Sequence, residues 1–193
     1  TQGVYHAGDV MYDATLYFAE QAQKTSNILQ QLQIVSKQYY LATIHRAQTT
    51  DNTEKLANIL YAFQQIYHSI ILPLHPRTKK VIDNSIVLTK LIQESPKLRI
   101  IDSVSYLDML LLEKHAALIL TDSGGVQKEA YFHHTPCITM REETEWVETV
   151  EAGWNTIVGT NTNRILQAVQ SPQQPQYEIT EYGSGNAATN IIK

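Results

Sequence analysis

Cysteine is nearly absent: Cys137 is the only one among 193 residues. A single thiol excludes an internal disulfide. Its apolar setting, Pro136 to Met140, reads as that of a small buried hydrophobe rather than a nucleophile. One cysteine and scattered histidines give no zinc-ligand spacing, so no metal is expected. A basic excess is missing as well. Fifteen Lys plus Arg face 19 Asp plus Glu, for a net charge of −4, which argues against a broad nucleic-acid surface. Local anion binding stays open, because a few backbone amides hold a phosphate whatever the net charge. The 11 tyrosines do not interleave with a basic stripe, so single-strand nucleic-acid binding is not expected. No apolar run approaches membrane-spanning length and no signal-peptide pattern opens the sequence. A cytoplasmic protein with no membrane partner is the expectation. No Walker lysine follows a glycine turn, and no G-x-S-x-G elbow occurs. The abrupt start, Thr1-Gln2-Gly3-Val4 without an initiator methionine, suggests a piece of a longer protein.

What is present suits one compact α/β domain, with 43% hydrophobic residues against 18% charged. Short apolar runs alternate with segments of helical period. Strands are expected at 39–44, 70–74, 98–102, 116–121, 137–140 and 156–158. Helices are expected at 10–25, from Asp51 or Asn52 to about 67, at 76–81, 86–93, 106–114, 124–132, 145–151, 163–170 and 186–192. Val4 to Asp9 reads as a strand or an incoming linker. The run Ala116 to Thr121 is apolar almost throughout, as in a strand buried on both faces. Strand–helix alternation predicts right-handed βαβ units and a doubly wound, Rossmann-like parallel sheet. Within it, residues 1–30 would form a first segment and helix, 31–171 the core, and 172–193 a tail and short helix.

Ligands in this fold bind at the carboxyl ends of strands, and four polar clusters fall there. Thr121-Asp122-Ser123-Gly124-Gly125 follows the most apolar strand and opens a helix. Free amides and the helix dipole favour an anion, and two glycines let a phosphate reach the backbone. Ser123 adds a hydroxyl donor or caps the helix; the plain alternative is a capped turn with no ligand. Glu129, one turn on, is placed to accept from two ribose hydroxyls or to be a solvated helix carboxylate, and Gln127 and Lys128 beside it cannot both point at a ligand. His45-Arg46, after the first clear strand, offers cationic donors and a proton shuttle. His75-Pro76-Arg77 repeats the pairing after the second strand and reads equally as a surface turn. Arg141 follows the fifth strand and suits phosphate or carboxylate, while four glutamates in the next seven residues must mostly face away from an anion. Thr144 would cap the following helix and Trp146 would pack.

Four stretches in this sequence, Ala42-Thr43-Ile44-His45-Arg46-Ala47, Pro73-Leu74-His75-Pro76-Arg77-Thr78, Leu120-Thr121-Asp122-Ser123-Gly124-Gly125-Val126-Gln127-Lys128-Glu129-Ala130 and Arg141-Glu142-Glu143-Thr144-Glu145-Trp146, resemble the non-hydrolysing UDP-N-acetylglucosamine 2-epimerase family in order and spacing. Gly8 to Asp13 resembles the family's crossover between two domains, and Tyr182 to Ala188 its C-terminal segment. The resemblance covers essentially this whole chain and only the second half of a family enzyme.

It implies the C-terminal domain of a glycosyltransferase-B-like architecture, with the active site in the cleft between two Rossmann-like domains. The implied reaction interconverts UDP-GlcNAc and UDP-ManNAc, precursors of cell-surface polysaccharide, by UDP elimination to a glycal and re-addition, with no cofactor. Ser123, Gly124 and Gly125 would hold the diphosphate, Glu129 the ribose, and Ser103 to Met109 would flank the uracil. Arg141 joins the UDP-binding set. His45 would stabilise or protonate the departing UDP. Arg46, His75 and Arg77 would serve a second nucleotide-sugar site. The implied partners are UDP, a UDP-sugar, the missing N-terminal domain that carries the acid/base carboxylates, and a second copy in a homodimer of the complete enzyme.

There are departures. Gln48 and Thr49 stand where the family has an acidic residue and Asn, and Met109 where it often has an aromatic. The Thr-Glu-Trp-Val-Glu form also resembles epimerases of UDP-2,3-diacetamido uronic acids. A non-catalytic nucleotide-sugar-binding module and a glycosyltransferase of the same architecture are the competing classes.

Overall fold

The computed structural model describes residues 3–192. Six strands form one sheet, all parallel, in the order β3-β2-β1-β4-β5-β6. They are β1 (Tyr39–Thr43), β2 (Ser69–Pro73), β3 (Leu98–Ile101), β4 (Leu118–Thr121), β5 (Cys137–Thr139) and β6 (Asn155–Ile157). The order reverses between β1 and β4, which creates the crevice where such sheets take ligands. Every residue of β1 and β4 is buried. That is the physical reason these two strands read as continuous apolar runs: both of their faces carry helices.

One face is covered by α4 (Thr53–Gln65), α5 (Pro76–Asp83), α6 (Ile86–Gln93) and α10 (Thr162–Gln170). From α4, Leu56, Ile59, Leu60 and Phe63 are fully withdrawn from water against Ala42, Ile70, Leu72 and Leu120. The other face is covered by α1 (Val10–Thr25), α2 (Ile28–Gln31), α7 (Tyr106–His115) and α8 (Gly124–Phe132), with Leu111, Leu112, Val126 and Ala130 packed on Tyr39, Leu41 and Ile119. Each fully buried Leu, Ile or Phe contributes roughly 1.5–3 kcal/mol of transfer free energy. These two layers hold the strand ends in place.

Helix starts follow local chemistry. Asn52 accepts from the Lys55 amide at 3.0 Å and Ser105 from the Asp108 amide at 3.2 Å, satisfying first-turn donors. Pro76 opens α5, where its missing N–H costs nothing. The remaining elements are α3 (Ala47–Thr50), α9 (Val147–Glu151) and α11 (Ala187–Ile192).

Three expectations change. The fourth strand starts at Leu118, because Ala116 closes α7 as its C-cap. The helix expected from Glu145 starts at Val147 with Trp146 at its N-cap, and Thr144 stays outside it, accepting from the Trp146 amide at 3.0 Å. The short helices α2 and α3 were not expected, since four residues carry no readable period. Val4 to Asp9 forms no strand and leads into α1.

The chain's two ends lie together. Gly8, at φ +97°, brings the backbone so near Tyr182 and Ala187 that a Cβ there would sit 3.2 Å from the Tyr182 carbonyl oxygen and 3.3 Å from the Ala187 Cβ. Only glycine allows both the torsion and the approach. Asp13 of α1 then accepts from the amides of Ala187 and Ala188 at 3.0 and 2.8 Å, capping α11.

Candidate functional site

The crevice between β1 and β4 is organised by Asp122. This carboxylate is fully buried. It accepts from the His45 amide at 3.0 and 3.2 Å and from the Arg46 amide at 3.0 Å. The strands beneath are joined by a 2.5 Å hydrogen bond between the hydroxyls of Thr43 and Thr121. A buried carboxylate needs such donors to offset desolvation. The result is that the His45-Arg46 loop and the start of α8 are fixed to one another.

His45 is half-buried there. Its Nδ1 lies 3.8 Å from the Asp122 carboxylate, and its ring is 5.6 Å, centroid to centroid, from that of His75. Burial pushes the His45 pKa below its ordinary value; Asp122 opposes this, while His75 and Arg46 add to it. The imidazole is therefore neutral at pH 7.

Across the crevice, Ser123 caps α8, its hydroxyl accepting from the Val126 amide at 3.5 Å while its own amide donates to Thr121 Oγ1 at 2.9 Å. The glycine turn is crowded by cations and their partners. A Cβ on Gly124 would lie 3.3 Å from Arg46 Nη2, 3.4 Å from Glu145 Oε2 and 3.6 Å from Trp146 Nε1. Arg141, nearly buried, grips the Glu145 carboxylate with two bonds of 3.0 and 2.9 Å. That grip holds the Glu145 carboxyl down at about 2. Trp146 Nε1 donates to the Gly124 carbonyl at 2.8 Å. The turn thus presents free amides, a helix N-terminus and two guanidinium groups together.

A cleft of about 280 Å³ opens beside it, lined by His45, His75, Ser103, Ser105, Tyr106, Met109 and Val126 among others. Its lining mixes apolar Val104, Met109 and Val126 with the polar groups of Ser103, Ser105, His45 and His75, a combination that suits a heterocycle. Glu129 lies behind this lining, only 7% exposed.

Of the residues singled out from sequence, the fold brings His45, His75 and Met109 into one cleft, and Arg46, Gly124 and Arg141 to its neighbouring turn. Arg77 lies apart from both. It donates to Thr50 at 3.0 Å and to both oxygens of Asp51 at 2.7 Å, on α3 and its C-cap. Lys128 turns away to the Asp9 carboxylate, with its ammonium 4.3 Å from the Trp146 ring centroid and 5.4 Å from that of Tyr182. Gln127 turns to Thr144 and Asn155. Sequence reading missed Asp122 as an organiser, while Tyr106 lines the cleft within the segment Ser103 to Met109 that was expected to flank the uracil. The signal for Asp122 was there: a carboxylate closing an apolar strand must find buried donors. Among the described residues no group of three His, Cys, Asp or Glu side chains is arranged to hold a metal ion, and no helix is long and apolar enough to cross a membrane.

The UDP-N-acetylglucosamine 2-epimerase family model matches residues 1–193. A UDP-N-acetylglucosamine 2-epimerase homolog of Methanococcus maripaludis is 45% identical over 99% of this chain and 54% of its own length. The UDP-2,3-diacetamido-2,3-dideoxy-D-glucuronate 2-epimerase of Pseudomonas aeruginosa is 39% identical over 98% of this chain and 52% of its own. The crystal structure of Methanocaldococcus jannaschii UDP-GlcNAc 2-epimerase in complex with UDP-GlcNAc and UDP superposes with a TM-score of 0.86 at 39% identity, covering 97% of this chain and 53% of that one. The chain spans about half the length of the relatives it matches. Its sheet has the Rossmann-like α/β fold expected of the C-terminal half of a glycosyltransferase-B-like architecture.

Proposed function

The chain belongs to the UDP-N-acetylglucosamine 2-epimerase family, and from that premise we propose that it is the UDP-binding half of an enzyme that inverts C2 of a UDP-sugar. The carrying observation is the Asp122 carboxylate, which binds the His45 and Arg46 amides and so faces the His45 loop to the glycine turn of α8 across one crevice. In this reading the diphosphate lies on the amides of Gly124 and Gly125 and the Ser123 hydroxyl, with Arg46 and Arg141 alongside. The uracil enters the cleft between Tyr106 and Met109, and the ribose reaches Glu129. A neutral His45 beside the bridging oxygens donates a hydrogen bond as the bond from the sugar C1 to UDP breaks, and the proton lost from C2 passes to a base on the opposing domain. UDP then adds back to C1 from the face it left, while a proton is delivered to C2 from the face opposite the one that lost it, which inverts C2. No cofactor takes part. The complete enzyme is a cytoplasmic homodimer, and His75 serves the second nucleotide-sugar site.

The test is a calorimetric titration of UDP into the complete protein and its Ser123→Ala variant, with UDP-GlcNAc turnover followed in parallel. About tenfold weaker UDP binding in the variant is expected for a lost hydrogen bond to a charged group. Equal affinity would remove the diphosphate from this turn. Binding of UDP without turnover of any UDP-sugar would favour a binding module over an enzyme.

A second substrate has support from the Pseudomonas aeruginosa relative. Preferential turnover of UDP-2,3-diacetamido-2,3-dideoxyglucuronate over UDP-GlcNAc would assign that sugar instead.

A further inference from the structure

Arg141 follows β5, and its side chain is only 9% exposed. A guanidinium grips an oxyanion bidentately along one of two edges, the end formed by Nη1 and Nη2 or the side that includes Nε. In Arg141 the Nε is buried and has no hydrogen-bond partner, so the side edge is closed to a ligand. The end is already filled. Its Nη1 and Nη2 donate to the two carboxylate oxygens of Glu145 at 3.0 and 2.9 Å.

The same carboxylate stands at the glycine turn. Glu145 Oε2 and Arg46 Nη2 lie 3.4 and 3.3 Å from the point that a Cβ on Gly124 would occupy. Among the described residues, the Gly124 and Gly125 amides donate to no protein group. An acidic side chain therefore sits among the cations and beside the free amides that would seat a phosphate. The residues on either side of it are pinned: the Thr144 hydroxyl donates to Gln127 Oε1 at 2.5 Å, and Trp146 Nε1 to the Gly124 carbonyl at 2.8 Å. Glu145 itself is 52% exposed. A rotamer change carries its carboxylate into water without moving the loop.

We propose that Glu145 is a specificity-determining residue, the resident counter-anion of the diphosphate seat: in the free protein it fills the open edge of Arg141, and a nucleoside diphosphate enters by exchanging with it. The proposal rests on the reading of the glycine turn as that seat. Carboxylate and diphosphate cannot share the edge, because two anions at such range repel in a partly desolvated site. The Arg141 grip keeps Glu145 ionised throughout the neutral range, so the competitor is always an anion. Exchange spares Arg141 from standing nearly buried and unpaired at any stage. It also selects the ligand. A small inorganic anion that meets Arg141 alone gains nothing over Glu145, whereas a diphosphate adds contacts to the turn's amides and to Arg46.

The experiment is calorimetric titration of UDP into the complete protein, comparing wild type with Glu145→Gln, Glu143→Gln and Ser123→Ala. Glu145→Gln is expected to bind UDP at least about threefold more tightly, a modest gain because the pair is half open to solvent. A merely structural role for Glu145 predicts the opposite sign, since a disordered loop weakens binding. Unchanged or weaker affinity in Glu145→Gln overturns the proposal, weaker affinity making Glu145 the support that aims Arg141. Glu143 is exposed in the same loop and removes a like charge without touching that grip. Its Gln variant is expected to tighten binding by less than half as much; an equal gain would make the effect one of general charge and overturn the exchange. Should Glu145→Gln not fold, Glu145→Ala is read by the same criteria. Ser123→Ala tests the underlying reading. Unchanged affinity there removes the seat and the proposal with it, whereas weaker affinity there with no gain in Glu145→Gln removes the proposal alone.

Discussion

The Asp122 carboxylate accepts the His45 backbone amide at 3.0 Å while its side chain lies 3.8 Å from the same residue's imidazole. One buried charge therefore sets both the position of the His45 loop and the titration of its ring. Asp122→Asn keeps the shape and removes the charge. The His45 and Arg46 amides lose charge-assisted bonds, and stability is expected to fall by about 2–4 kcal/mol. Because Asp122 is the one influence raising the His45 pKa, the imidazole midpoint, already below about 6.5 in wild type, should drop further. Denaturant unfolding and an NMR titration of the histidine ring protons check both parts. A midpoint that stays or rises would mean Asp122 does not act on His45.

His133 makes a sharper case of pH-dependent stability. Its Nε2 is buried without a partner, and burial, helped by Lys114 and Lys37, pushes its pKa down to about 4. A depressed histidine favours the fold while it is neutral. Above about pH 6.5 both states leave it unprotonated, and the native state pays nothing. As pH falls toward 4, the unfolded chain takes up a proton that the folded one refuses. The expected loss is about 3 kcal/mol at most. His133→Gln should flatten the fall in urea midpoint between these limits; an identical fall in the variant would place its origin elsewhere.

The four strand ends were legible because the parallel strands are buried on both faces, which leaves continuous apolar runs with polar residues at their carboxyl ends. Caps such as Ser105 and Asn52 follow from local chemistry and were legible too. What the sequence hides is direction. Whether Lys128 or Gln127 faces the cleft depends on the register of α8 against α1 and the C-terminal segment, and both turned out to face away. Arg77 and Arg46 look alike in sequence, each following a histidine at a strand end. Yet the proline-started α5 sends Arg77 to Asp51, while Arg46 reaches the glycine turn. Such choices are made by contacts across the sheet, which no local pattern records.

The Lys128–Asp9 pair ties α8 to the segment that leads into α1. Both groups are largely withdrawn from water, and the ammonium is boxed by Trp146, Tyr182 and Phe132. Lys128→Met fills the box but strands the Asp9 carboxylate, so a loss of about 3 kcal/mol is expected. Adding Asp9→Asn removes the stranded charge and should recover part of it. A double-mutant cycle in denaturant measures the coupling. Additive losses would mean that the pair does not act as a unit.

Gly124 separates binding from folding. It sits at the first position of α8, where alanine is conformationally acceptable. The added Cβ would meet only the ends of side chains: Arg46 Nη2 at 3.3 Å, Glu145 Oε2 at 3.4 Å and Trp146 Nε1 at 3.6 Å. Arg46 and Glu145 are flexible enough to give by a few tenths of an ångström, so Gly124→Ala should change stability by less than about 1 kcal/mol. The same methyl group projects into the space between the turn and the two guanidinium groups, where a diphosphate must press against the backbone. UDP affinity is therefore expected to fall at least about tenfold, since one lost charge-assisted contact is worth about 1.5–3 kcal/mol. Calorimetry beside a denaturation curve reads the two effects independently. Loss of folding with retained affinity would reverse the assignment, making the glycine a packing requirement rather than a seat for phosphate.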